Sequence, residues 1–411
     1  MDFESWWLIF LPLLFGLGWL SARYDLRHMM SESRTLPDSY FKGLNFLLNE
    51  QPDRAIDAFI EVTKLDTETT ELHFALGNLF RRRGEMERAI RVHQSLLSRS
   101  DLPARDREHA LHEIAQDYLK AGMLDRAEMA FQELSDTRYG KRAAKALVRI
   151  YETEHDWPRA IKAVQNLGKL TGESVPQAVH YHCELAELSL AKPKPDTETA
   201  MKEVRQAMDL IARDAQATQA SKARVQMTLA QIAQANQDVL AQRTALLGVL
   251  EQAPGYAGLI ASALVENFKQ TNEQADLLVR LSTHYADYPS LDLLSVLFVL
   301  KREYEGSAAA WKFMREALRH NTSLLALNRA LSLELPQQES SVEPSDEMIE
   351  KNPMTPDLVS QVIGPHTQRL DRYSCQTCGF QARQFYWQCP GCHSWETYRP
   401  LRLEELSGAK V

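Results

Sequence analysis

GLNFLLNEQPDRAIDAF (residues 43–59) and GNLFRRRGEMERAIRVH (residues 77–93) decide the architecture of this chain. Aligned, they put Gly43 over Gly77, Phe46 over Phe80, Ala55 over Ala89 and Phe59 over His93. The separation of about 34 residues is the period of a two-helix repeat. A small residue lets the two helices of a hairpin approach closely, and the bulky residues fill the seam to the next hairpin.

Working outward, a third unit supplies Ala115, Tyr118, Gly122, Ala127 and Phe131 at the same offsets. A fourth supplies Val148, Tyr151, Ala160 and Val164, with Trp157 and Pro158 opening its second helix. These are tetratricopeptide-type units. Beyond Val175 the signal weakens, although HYHCELAELSL with TAMKEVRQAMDLIA, and VQMTLAQIAQA with RTALLGVLEQAP, read as amphipathic helix pairs. Residues 256–335 read as degenerate repeats or a capping bundle. The expectation is an all-α tetratricopeptide superhelix of roughly six to nine repeats, whose concave face binds protein.

Single residues within the repeats read as structural. Cys183 is a small buried residue, and His73, His93, His112, His180 and His182 are helix-face or core positions. The run Arg81, Arg82, Arg83 before Gly84 reads as a solvated helix end, with contact to an acidic partner as the alternative. There is no Gly-rich phosphate loop and no nucleophile beside a base, so the chain does not read as an enzyme. The formal net charge of -8 gives no chain-wide basic surface for nucleic acid.

Ahead of the repeats, WWLIFLPLLFGLGWLSA (residues 6–22) carries no charge. As a helix it spans about 26 Å, and Trp6, Trp7 and Trp19 near its ends suit the two interfaces of a bilayer. Asp2 and Glu4 precede it and Arg23 and Arg27 follow, with no small-residue cleavage pattern, so the expectation is an uncleaved anchor with residue 23 onward in the cytoplasm.

Behind the repeats, Pro336, Pro344, Pro353 and Pro356 interrupt a stretch rich in Ser, Glu and Gln, which reads as a linker. Then RYSCQTCGFQARQFYWQCPGCHSWETYRPL carries four of the five cysteines. Cys375 and Cys378 form one Cys-x-x-Cys turn and Cys389 and Cys392 another, a pattern for one tetrahedral four-thiolate metal ion. Ligand softness admits iron or zinc equally. With four thiolates no position is open for water or substrate, so a structural or docking module is expected. Tyr373, Phe380, Phe385, Trp387 and Trp395 are expected to pack around the site, and His393 to stand beside it at the surface.

The order of apolar anchor, repeats with NFLLNEQPDRAIDAF and GNLFRRRGEMERAIRVHQ, and then CQTCGF with FYWQCPGC closely resembles the lipopolysaccharide assembly protein B family over nearly the full chain. The resemblance implies a single-pass bacterial inner-membrane adaptor, its repeats and C-terminus facing the cytoplasm. Such a protein regulates lipopolysaccharide synthesis by helping a membrane AAA+ zinc protease degrade the deacetylase that commits precursor to lipid A. It also implies a rubredoxin-like terminal module, packed on the repeats, whose metal cysteines map to Cys375, Cys378, Cys389 and Cys392. The first knuckle lacks the proline of rubredoxin proper, and His393 stands where the second has glycine, which puts electron transfer in doubt but not metal binding. The Pro-rich acidic stretch near Glu343 is long for the family.

The expected division is therefore an anchor over 1–22, a repeat domain over 23–335, a linker over 336–367 and a metal module over 368–411. A redox carrier docked on a repeat scaffold and a zinc-ribbon nucleic-acid binder are the rival readings. The oligomeric state is left open.

Overall fold

The computed structural model describes residues 70–172, 175–214, 217–334 and 356–408, with isolated positions between 19 and 58. Apart from Trp19, the expected anchor lies outside the described residues, as do Phe59 and residues 336–355 of the linker. Among the described residues no helix is long and apolar enough to cross a membrane. The chain divides into two units, 1–150 and 151–411.

In the first unit α1 (Thr70–Arg83) and α2 (Met86–Leu97) form one hairpin, followed by α3 (Ala104–Lys120), α4 (Leu124–Glu133) and the start of α5 (Gly140–Thr153). Gly84 and Gly122 end α1 and α3 at φ 84° and 73°, a left-handed stop that glycine adopts without a Cβ penalty. The repeat positions fall in the core: Phe80, Ala89, Ala115, Ala127 and Phe131 are all buried.

Gly77 shows why its position is small, since a Cβ there would stand 2.3 Å from Nε2 of the His93 ring. That ring is fully buried and its Nδ1 lies 2.6 Å from Asp117 Oδ2. Asp117 also accepts from Arg81 Nη1 at 3.0 Å, and Arg81 bonds Glu113 as well. Arg81 is thus no solvated turn residue: it reaches across the seam to two carboxylates of the next hairpin. Burial works to raise the Glu113 carboxyl, but His109 and Arg81 outweigh it and hold it down at about 2.

In the second unit α6 (Trp157–Thr171), α7 (Gln177–Leu190), α8 (Thr197–Arg213), α9 (Gln219–Ala235), α10 (Val239–Gln252), α11 (Ala257–Gln270), α12 (Gln274–Asp287), α13 (Leu291–Tyr304), α14 (Ser307–His320) and α15 (Leu324–Glu334) follow one another. Short polar residues start several of them. Asp156, Asp196, Thr218, Asp238 and Ser290 each accept the N–H of the third residue on, the usual way to satisfy a helix's first amides. Leu246, Ile260, Leu264, Phe268, Leu277, Leu281, Leu293 and Leu297 join consecutive hairpins into one core.

Residues 356–367, read in the sequence as the end of the linker, instead lie in α16 (Pro356–Leu370). Proline is tolerated in a helix's first turn, where its missing N–H would be unbonded anyway. Thr367 and Ser360 on α16 bond Asn328 of α15, which seats the helix on the last hairpin. The chain then forms β1 (Tyr373–Ser374), paired antiparallel with β2 (Gln381–Ala382), and ends the described region in α17 (Leu403–Gly408). The chain is mostly helical, with this small module as its only sheet among the described residues.

Gly77→Ala should lower the thermal midpoint of the first unit. The helix-propensity gain of about 1 kcal/mol is outweighed by an overpacking cost of about 1–3 kcal/mol, because Asp117 pins the ring the new methyl meets. A midpoint equal to or above wild type by calorimetry would show that the ring can yield.

Candidate metal centre

The first knuckle hangs between β1 and β2. Cys375 N–H bonds Phe380 O, and Gly379 N–H returns to Cys375 O, each at 2.9 Å. The second repeats that geometry, since Cys389 N–H bonds Ser394 O and His393 N–H returns to Cys389 O, each at 2.9 Å. Gly379 and His393 are therefore equivalent positions, and both sit at positive φ, 76° and 57°. That explains the glycine of rubredoxin proper at this place, and it makes His393 a strained, exposed residue outside the sulfur set.

The two turns bring all four sulfurs within 4.8 Å of one another. Cys375 and Cys392 are 3.8 Å apart and Cys378 and Cys389 3.7 Å. A tetrahedron with metal–sulfur bonds of about 2.3 Å has edges of about 3.8 Å, so the donor set fits one such ion. Cys375 Sγ lies 3.3 Å from Thr397 Oγ1, and Gly391 N–H donates to Cys389 Sγ at 3.4 Å, both outer bonds that orient thiolate ligands. Burial works to raise the Cys375 thiol, but Thr397 and the backbone amides of Cys378 and Thr377 bring it down to about 6. The four cysteines could bind one metal ion, and the S4 set fits zinc and iron alike.

The module is bound to the repeats through side chains the sequence reading did not single out as a site. Glu396 Oε1 accepts from His180 Nε2 at 2.7 Å, Thr218 Oγ1 at 2.8 Å and Ser221 Oγ at 2.6 Å. Because Arg224 Nη1 faces His180 Nδ1 at 3.3 Å, the imidazole is neutral with its proton on Nε2, and donates that proton to Glu396. Desolvation lowers the His180 pKa, while the bonds from His180 and Ser221 overcome burial and lower that of Glu396.

Trp395 stacks on His180 with centroids 4.9 Å apart and donates its indole N–H to Glu152 at 2.7 Å. The buried Arg224 guanidinium lies 5.6 Å from the rings of both Trp387 and Trp395, and pairs with Glu184 at 2.6 Å. At the other side Tyr373 donates to Asp292 at 2.8 Å, and Arg402 and Arg329 flank the same carboxylate.

Of this dock the sequence had named His180, as a helix-face or core residue, and Tyr373, Trp387 and Trp395, as packing around the metal site; Trp387 and Trp395 instead lie against Arg224 and His180 of the repeats. An available signal was the polar set His180, Glu184, Glu187 and Arg224, more charge than the buried side of two packed helices needs.

A family profile described as a rubredoxin metal binding domain matches residues 373–400, and one described as a tetratricopeptide repeat matches residues 72–108. The chain is 30% identical over 397 residues to lipopolysaccharide assembly protein B of Escherichia coli strain K12, covering 96% of this chain and 97% of that one. It is 26% identical over 410 residues to the Haemophilus influenzae protein of the same name, covering 97% and 98%. Among solved structures, a tetratricopeptide repeat protein from Parabacteroides merdae is similar at 12% identity and a TM-score of 0.30, over 79% of this chain and 100% of that one.

Two outcomes are expected. His393→Gly should stabilise the module by about 1 kcal/mol by removing left-handed strain from an exposed residue; a lower midpoint by calorimetry would mean the imidazole is itself needed. For the dock, both His180 and Glu396 have folded-state pKa values below their unfolded ones. Their stabilisation is therefore present above the unfolded values and is lost as pH falls, beginning below about 6.5 for the histidine and about 4.3 for the carboxylate. Denaturation midpoints of the second unit should drop between pH 7.5 and 5.5, and His180→Gln should flatten that slope; an equally steep slope in the variant would assign it to other groups.

Proposed function

The chain belongs to the lipopolysaccharide assembly protein B family, and from that premise we propose that it is a membrane-anchored adaptor that regulates lipopolysaccharide supply. In this reading residues 1–22 hold the repeats at the inner membrane, facing the cytoplasm. There they raise the effective concentration of a client toward a membrane AAA+ protease. The client is the deacetylase that commits precursor to lipid A, and the adaptor promotes its proteolysis.

Cys375, Cys378, Cys389 and Cys392 hold one zinc or iron ion in the adaptor. Four thiolates fill a tetrahedral ion, so the metal's contribution is folding energy for a module too small to build a core of its own. The chain itself carries no catalytic step.

The observation that carries this reading is the dock. Glu396, Trp395, Tyr373 and Arg402 are spent on contacts to Glu152, His180, Ser221 and Asp292, so the module extends the repeat surface. A shuttling carrier would leave such a face free to meet a reductase.

The test is a chain with Cys375→Ser and Cys378→Ser, in which the half-life of the deacetylase is followed beside wild type. A longer half-life with raised lipopolysaccharide is expected. Unchanged turnover, with the module shown to be unfolded, would mean that the repeats act alone.

A further inference from the structure

The four sulfurs are not equally covered. Cys375 and Cys389, the first cysteine of each knuckle, are 2% and 0% exposed, whereas Cys378 is exposed and Cys392 is half-buried. The surroundings sharpen the asymmetry between the two outer sulfurs. On the second knuckle the Phe380 side chain lies against Gly391, within 3.4 Å of where a Cβ would stand. On the first knuckle Thr377 takes the place of Gly391 and is itself exposed, and nothing approaches within 4 Å of where a Cβ would stand on Gly379, the residue after Cys378. A small solute therefore has an open approach to one sulfur of the set.

The first knuckle is also wired to the repeats. Gln376 N–H bonds Thr397 O at 2.9 Å, and Cys375 pairs with Tyr398, so the segment that carries Glu396 is laid against the knuckle. Leu403 N–H bonds Arg372 O at 2.7 Å, which sets α17 relative to the module. From α17, Glu405 accepts the N–H of Leu291 at 2.8 Å, and Glu404 accepts those of Leu324 at 2.8 Å and Leu325 at 3.2 Å. Two helices that line a cavity of about 770 Å³ between α11, α13 and α15 thus begin on carboxylates of the module's last helix.

We propose that Cys378 is an oxidation site at which a peroxide-class oxidant opens the four-cysteine centre and thereby releases the N-termini of α13 and α15. With a divalent ion bound, Cys378 is held as a thiolate, the form that reacts. Its sulfur attacks one oxygen of hydrogen peroxide: an S–O bond forms, the O–O bond breaks, and the departing hydroxide takes a proton from solvent to leave as water. Cys389 Sγ, 3.7 Å away, then attacks the Cys378 sulfur. The S–S bond forms, the S–O bond breaks, and a second hydroxide leaves as water with a second solvent proton. The two thiolates are oxidised by two electrons in all and the peroxide accepts both. The ion keeps its oxidation state and is left on two ligands, from which it dissociates.

The proposal rests on the metal reading above, and the experiment separates the two. The full chain, purified in detergent and loaded with zinc, is titrated with hydrogen peroxide. Zinc release is read with a colorimetric chelator, modified cysteines are mapped by peptide mass spectrometry, and amide exchange is followed at Leu291, Leu324 and Leu325. Cys378 should be modified first, with zinc release in step and exchange at those amides rising by about tenfold or more. Cys378→His, which keeps a zinc ligand, should release zinc about tenfold more slowly. First modification at another cysteine, wild-type release from the histidine variant, or release with exchange unchanged would each overturn the oxidation site while leaving the metal centre standing. Should the histidine variant not hold zinc, the order of modification in the wild-type chain decides. A chain that takes up no zinc before peroxide is added sinks both.

Discussion

One carboxylate oxygen joins the metal module to the repeats. Oε1 of Glu396 accepts from a ring nitrogen on α7, from the hydroxyl that caps α9, and from a second hydroxyl one turn into α9. Glu396 sits at φ 57°, a conformation costly for a residue with a Cβ. Charge-assisted hydrogen bonds contribute about 1.5–3 kcal/mol each, so three of them over-determine the strained backbone that aims the carboxylate. Were Glu396 lost, the Nε2–H of His180 would be buried with no acceptor, which is a greater cost than the pairing itself was a gain. The dock is specific for this reason, and its aromatic shell of Trp387, Trp395 and Tyr256 adds area around a polar centre that tolerates little displacement.

How much of this was legible in the sequence follows from the range of each interaction. The hairpins were legible because their determinants are local: Gly77 against His93, and Ala89, Ala127 and Ala160 in the seams, recur at fixed offsets and are all buried. The cysteine turns were legible for the same reason, each being four residues long. The dock was not, because Glu396 meets Ser221 and His180 across 175 and 216 residues, and no periodicity marks such a pair. Arg81 was misread on similar grounds. Its place before Gly84 suggested a solvated helix end, but the partners that hold it are 32 and 36 residues on, in the next hairpin. Pro356 was read as a breaker, although the same residue is compatible with a helix that starts on it.

A stack of helix hairpins has a problem at its last member, whose outer face would be apolar and whose helix ends would be bare. Here α16 takes the outer position against α15, and Thr367, buried at 2%, shares hydrogen bonds with Asn328 where a further repeat would have continued. The helix starts are handled from the opposite direction. Ser323 caps α15 by accepting Ala326 N–H, and itself donates to Glu404, which also takes the amides of Leu324 and Leu325. Glu405 does the same for Leu291 at the start of α13, where burial and then the neighbouring Asp292 push its carboxyl up to about 7, offset in part by the amides of Arg402 and Leu291. The amides of Arg402 and Leu291 favour its ionised form against burial, so the strength of the cap depends on α17 staying where the cysteine turns put it. The small module therefore closes the repeat stack as a terminal repeat would, its order set by the two cysteine turns and the short β1–β2 pair rather than by a hairpin core of its own.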